Sequence, residues 1–209
     1  MKKLAIALMV ILALPLVFVP AATADTFFPM RPGDVYTFSV SNQAAKGEFT
    51  VNSPVRSIAN GKSYHVLVLF NPTGPHEEVS LLRSVGNEVF RYDGDGVETR
   101  MLMEGPAGIS WDQKRRDGRT VRTTIEAIET VTVPAGKYTG CLKFREEQVR
   151  PQQKLYMRTW VKPGFGIVKA ANYDCPGCTL ANPQILELIS HNSGGFVHPP
   201  KPDMKSLNR

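Results

Sequence analysis

Cys175-Pro176-Gly177-Cys178 is the short motif in this chain with chemistry of its own. Two thiols at that spacing can close a disulfide, cycle as a redox pair, or supply half of a soft-metal site. A redox pair of the thioredoxin type needs its first thiol at a helix N-terminus, where the backbone dipole favours the thiolate. Here the motif falls between two stretches that read as strands, 166–170 and 184–190. A metal site needs two further ligands, yet the sequence holds no second C-x-x-C and no spaced His pair. A structural disulfide between Cys175 and Cys178 is therefore expected, with thiol redox or metal handling through the same pair as the alternative function. Cys141 is the third thiol. Alternation places it on the face of Lys143 and Arg145, accessible to either partner, so a bond from Cys141 to Cys175 or Cys178 competes with the local bridge.

The remaining candidates are weaker. His76-Glu77-Glu78 begins like a zincin helix, but Ser80 stands in the place of the second His and the segment reads as a strand. Asp93-Gly94-Asp95-Gly96 spaces two carboxylates like a calcium loop, but Val97 occupies the place of a third oxygen ligand, and a hairpin turn explains it. Lys114, Arg115, Arg116 and Arg119 cluster beside Trp111, a combination suited to anionic headgroups or simply to a solvated loop. The histidines at 65, 76, 191 and 198 show no catalytic spacing, and no nucleophile elbow or phosphate loop is present. No catalytic residue, cofactor or metal is assigned.

The elements that would hold these groups begin with a leader. Lys2 and Lys3 precede an apolar run from Leu4 to about Pro20, and small residues stand at Ala22 and Ala24. Residues 1–24 read as a signal peptide cleaved after Ala24. Cleavage takes two lysines from 25 basic residues and nothing from 19 acidic ones, leaving 23 against 19, a net charge of +4. That excess is too small for a dedicated nucleic-acid binder. No second apolar run is long enough to span a bilayer, so the mature chain is expected to be soluble and periplasmic or secreted.

From residue 34 onward the apolar residues recur with period two, and no 3.6-residue period persists. Strands are predicted at 35–41, 48–58, 62–70, 78–85, 88–92, 97–103, 120–133, 137–147, 154–162, 166–170 and 184–190, with turns such as Asn60-Gly61 and Gly86-Asn87 between them. Residues 104–119 read as the longest interior loop. About ten strands in one chain predict a mainly β, antiparallel, strongly curved sheet, an open half-barrel or sandwich. Residues 25–190 form its single domain, and 191–209, rich in Gly, Pro and Lys, form a flexible tail.

Three phrases carry a resemblance: Phe27-Phe28-Pro29-Met30-Arg31-Pro32-Gly33-Asp34, Glu129-Thr130-Val131-Thr132-Val133-Pro134-Ala135-Gly136-Lys137-Tyr138, and Gly164-Phe165-Gly166-Ile167-Val168-Lys169. In order and spacing they resemble those of a group of small exported bacterial proteins of largely unknown function. The resemblance covers roughly residues 27 to 190. It implies an open curved sheet loosely similar to the half-barrels that carry lipoproteins or other apolar cargo. Some members are lipid-anchored, whereas here the first cysteine is Cys141, far from the leader. No catalytic residue comes with the resemblance.

The function expected is that of an exported, non-enzymatic envelope protein that binds an apolar ligand, a lipid or an envelope protein partner on its curved sheet. Tyr36, Phe38, Tyr64, Phe70, Phe144 and Trp160 are the candidates to line the concavity. A structural or assembly module without a small ligand is the other alternative.

Overall fold

A computed structural model of the chain describes residues 27–41, 46–56, 60–70, 77–94, 96–115, 118–150, 153–173 and 184–193. The leader, the tail from residue 194, Arg116, and the segment with Cys175 and Cys178 lie outside them.

Period-two patterning becomes strand wherever one side can be buried. In β1 (Val35–Val40), Tyr36, Phe38 and Val40 are buried and the residues between them are partly exposed. β2 (Lys46–Arg56) and β3 (Ser63–Phe70) follow. On β3, Tyr64, Val66 and Val68 are buried and so is Leu67 on the opposite face, as in a strand covered on both sides. The meander continues through β4 (Glu77–Val85), β5 (Glu88–Gly94) and β6 (Val97–Met103). Its second half is β7 (Ser110–Lys114), β8 (Thr120–Val133), β9 (Gly136–Arg150), β10 (Gln153–Lys162), β11 (Gly166–Tyr173) and β12 (Gln184–Asn192).

These strands form one antiparallel sheet in the order β6-β5-β4-β3-β2-β1-β12-β11-β10-β9-β8-β7, and no helix occurs among the described residues. The last strand pairs with the first, Tyr36 opposite His191 and Phe38 opposite Leu188. His191 therefore belongs to the sheet and not to the tail expected from composition. The order is that of an up-and-down barrel opened between β6 and β7.

The twist of so many strands curls the sheet until its two edges meet. No ladder joins them. Side chains cross the seam instead: Gln113 Nε2 donates to the carbonyl of Met101 at 3.1 Å, Thr99 Oγ1 to that of Lys114 at 3.3 Å, and Trp111 Nε1 to that of Arg100 at 3.3 Å. β7 lies within the stretch expected to be a loop. Its inward positions hold Trp111 and the buried amide of Gln113, so an apolar alternation is missing although the geometry is a strand's.

One end of the curled sheet is plugged by the N-terminal segment. Phe27 N–H donates to Gly86 O at 3.3 Å in the β4–β5 turn, and Gly164 N–H in the β10–β11 turn donates to Phe27 O at 3.0 Å. Phe165 packs on Tyr138 at 5.1 Å between ring centroids, and Tyr36 Oη donates to Phe165 O at 2.8 Å. The three phrases of the resemblance thus converge on one end of the fold, where they tie strand turns together.

Candidate functional site

Cross-strand partners in an antiparallel ladder share a face. Thr123, Glu146 and Met157 are partners across β8, β9 and β10, and Leu82 and Arg91 are partners across β4 and β5. Between the two halves of the sheet the inward faces leave a cavity of about 270 Å³. Its wall takes Phe28 from the N-terminal segment, Phe38 from β1, Leu67 from β3, Leu82 from β4, Met101 from β6 and Met157 from β10. An apolar cavity of about 150 Å³ already binds benzene, so this one has room for a larger guest. The two methionines can adapt their shape to it.

Glu146 is the charged residue of that wall among the described residues. It forms no hydrogen bond or ion pair with a described residue. Burial pushes its carboxyl up to about 7, with Arg91 pulling modestly the other way. Arg91 is engaged elsewhere, its Nε 2.8 Å from Asp93 Oδ1. Glu146 lies ten positions along β9 from its first residue, Gly136, and so towards the end opposite the N-terminal plug. A polar group at one end of an apolar chamber can orient a guest that has one polar head.

Of the six aromatic residues singled out from sequence, Phe38 stands in the cavity wall. Tyr36 packs at the plugged end, stacked on His191 at 4.4 Å, and its hydroxyl pKa is raised first by burial and then by Asp34. His191 Nε2 in turn lies 3.7 Å from Oδ2 of the buried Asp34, which just precedes β1. Tyr64 donates to Glu98 Oε1 at 2.8 Å and accepts from Asn60 Nδ2 at 2.8 Å, beside Arg83 and Lys62. Phe144 fills core space against Phe27 and Trp111, each at 6.3 Å. Trp160 contacts the charged side of the sheet: its indole N–H reaches Glu129 Oε1 at 2.5 Å, and Lys143 and Lys169 lie 5.4 and 5.7 Å from the ring. Phe70 ends β3, and its side chain lies outside the described residues.

Alternation along β9 carried a signal for Glu146, since it falls in phase with Leu142 and Phe144. An acid in register with core residues marks a polar group facing inward.

The basic segment does not assemble around its tryptophan. Trp111 turns into the core, Lys114 is exposed, Arg115 N–H closes a turn on Arg119 O at 2.8 Å, and Arg119 Nη1 donates to Gln148 Oε1 at 3.1 Å. Arg116 lies outside the described residues.

The pair Cys175 and Cys178 also lies outside them, and no disulfide occurs among the described residues. Cys141 is a free thiol with 0% exposure, which corrects the expectation that it is accessible. Gly140, at φ +66°, and Thr139 stand opposite Thr130 in a bulge that curls the backbone over the sulfur, leaving Sγ 3.5 Å from Tyr138 O. Burial raises the thiol's pKa, the reverse of an activated nucleophile.

A solved structure of a protein from Bacteroides fragilis, inferred to be exported and described as having a YmcC-like fold, superposes on this architecture with a TM-score of 0.51 at 14% identity, over 80% of this chain and 99% of that one. The likeness is one of fold. A protein from Parabacteroides distasonis, inferred to be a lipoprotein, aligns with a TM-score of 0.47 at 15% identity, over 80% of this chain and 98% of that one. No protein-family model matches the chain, and no curated protein is significantly similar to it. The likeness thus extends to the fold, while the contents of the interior are read from this chain alone.

Proposed function

We propose that this protein is exported, periplasmic or secreted, and that it holds an apolar small molecule or lipid inside its folded sheet without transforming it. The observation that carries the reading is the apolar cavity of about 270 Å³ between the two halves. A purely structural module gains from a filled interior, because each unfilled methyl-sized void removes about 1 kcal/mol of packing. Retaining such a volume costs stability unless a guest occupies it. Export is supported by the two lysines, apolar run and small-residue site at the N-terminus, and by the Bacteroides protein of like fold, itself inferred to be exported.

The test is native mass spectrometry of the gently purified mature chain, together with titration of the neutral dye N-phenyl-1-naphthylamine. Saturable dye fluorescence is expected, and Leu67→Trp, which places an indole in the cavity, is expected to abolish it. No retained mass and no saturable dye binding would sink the carrier reading.

The alternative through Cys175 and Cys178 is open to thiol counting. A pair that cycles at an accessible potential supports it, and a permanently oxidised bridge removes it.

A further inference from the structure

We propose that the guest is an apolar molecule with a cationic amine head, anchored by the Glu146 carboxylate; this rests on the carrier reading above. The geometry selects that class. Glu146 opens on the cavity and has no partner among the described residues, while the rest of the wall is nearly all apolar. Among the described side chains, three titratable groups face inward from the strands opposite. Arg91 and Asp93 on β5 are joined to each other at 2.8 Å, and His65 on β3 shares a face with its partner Leu82. The Arg91–Asp93 pair is neutral as a unit, so among the described side chains of the cavity wall the unbalanced charge is that of Glu146.

A lone carboxylate in apolar surroundings is expensive to ionise. A guest that brings its own cation recovers that energy as a charge-assisted hydrogen bond, and its hydrocarbon body gains from the cavity wall. An alcohol of the same length supplies only a neutral hydrogen bond. A fatty acid adds a second negative charge and is disfavoured.

The carboxyl's raised value of about 7 adds a pH signature. The amine stays protonated across the neutral range, so its affinity should fall as pH drops through that value, until the advantage of the charged contact is lost.

The experiment uses the full mature chain loaded with N-phenyl-1-naphthylamine, displaced in turn by decylamine, decanol and decanoate. At about pH 8, decylamine is expected to displace the dye at roughly tenfold lower concentration than decanol, the ratio a single charge-assisted contact supplies. Glu146→Gln is expected to bring decylamine level with decanol, each displacement being read against the variant's own dye affinity. Lowering the pH to about 6 should weaken decylamine alone. Arg91→Gln, which removes the cation that lowers the Glu146 carboxyl, should move the pH at which decylamine weakens upward, and it provides an independent measurement if Glu146→Gln fails to fold. The proposal is overturned if decylamine has no advantage over decanol or decanoate, or if its advantage survives Glu146→Gln. Absence of dye binding instead overturns the carrier reading itself.

Discussion

Gln113 Nε2 lies 3.1 Å from the carbonyl oxygen of Met101 and 2.6 Å from Thr123 Oγ1, so one buried amide joins the first edge of the sheet to the last. A backbone ladder at this seam would close the barrel. Side-chain amides, hydroxyls and an indole close it partially, holding the two halves at the separation that leaves the cavity between them.

Gln113→Leu should therefore cost about 1–3 kcal/mol, since it strands the Met101 carbonyl and the Thr123 hydroxyl in a buried setting. Urea unfolding measures the loss. Hydrogen exchange should speed up selectively in β6 and β7, and uniform loss of protection across the sheet would contradict the role given to the seam.

Gly166 and Tyr36 are matched in the same way at the plugged end. A Cβ on Gly166 would meet Tyr36 Oη at 3.2 Å, and the backbone there has φ +127°, which side chains with a Cβ resist. Gly166→Ala should destabilise by roughly 1–3 kcal/mol. Tyr36→Phe, which removes the hydroxyl bonded to Phe165 O, should cost about 0.5–1.5 kcal/mol. In the double mutant the two losses should be less than additive, because the phenylalanine ring lacks the atom nearest the new methyl.

Two carboxyls should give the stability profile opposite slopes. Burial of Glu98 opposes its ionisation, but hydrogen bonds from Arg83, Lys62 and Tyr64 outweigh it and hold the carboxyl down from 4.5 to about 2. Its stabilisation is complete above 4.5 and is lost as pH falls towards 2, so Glu98→Gln should flatten the acid limb. Glu146 behaves conversely. Its folded value of about 7 lies above the ordinary 4.5, so the folded state holds the proton that the unfolded state releases, and stability falls as pH rises between those values. Glu146→Gln should raise the melting temperature at about pH 8 and change it little at about pH 4, as read by thermal denaturation across a pH series.

Cys141 should resist thiol reagents in the folded protein and react on unfolding, because its sulfur is covered and its thiolate is disfavoured by burial. Mass-spectrometric mapping after alkylation with and without urea checks this. Labelling of Cys141 in the native state at the rate of a free thiol would reopen a partnership with Cys175 or Cys178.

Period-two alternation and glycine-bearing turns determined most of the strands from sequence, because the side of a strand on which a residue lies is a local property of the backbone. Phe38 and, in phase with Phe144, Glu146 could be placed facing inward on that ground. β7 escaped because its inward amide is polar and needs a partner from β6, which no local pattern reveals. Only the tertiary structure decided that the edges meet, that the three recurrent phrases converge on one end, and that Leu67, Met101 and Glu146 enclose a common space. Those relationships depend on how twist accumulates over twelve strands and on contacts between residues far apart in the chain, whereas alternation records only which way each side chain leaves its own strand.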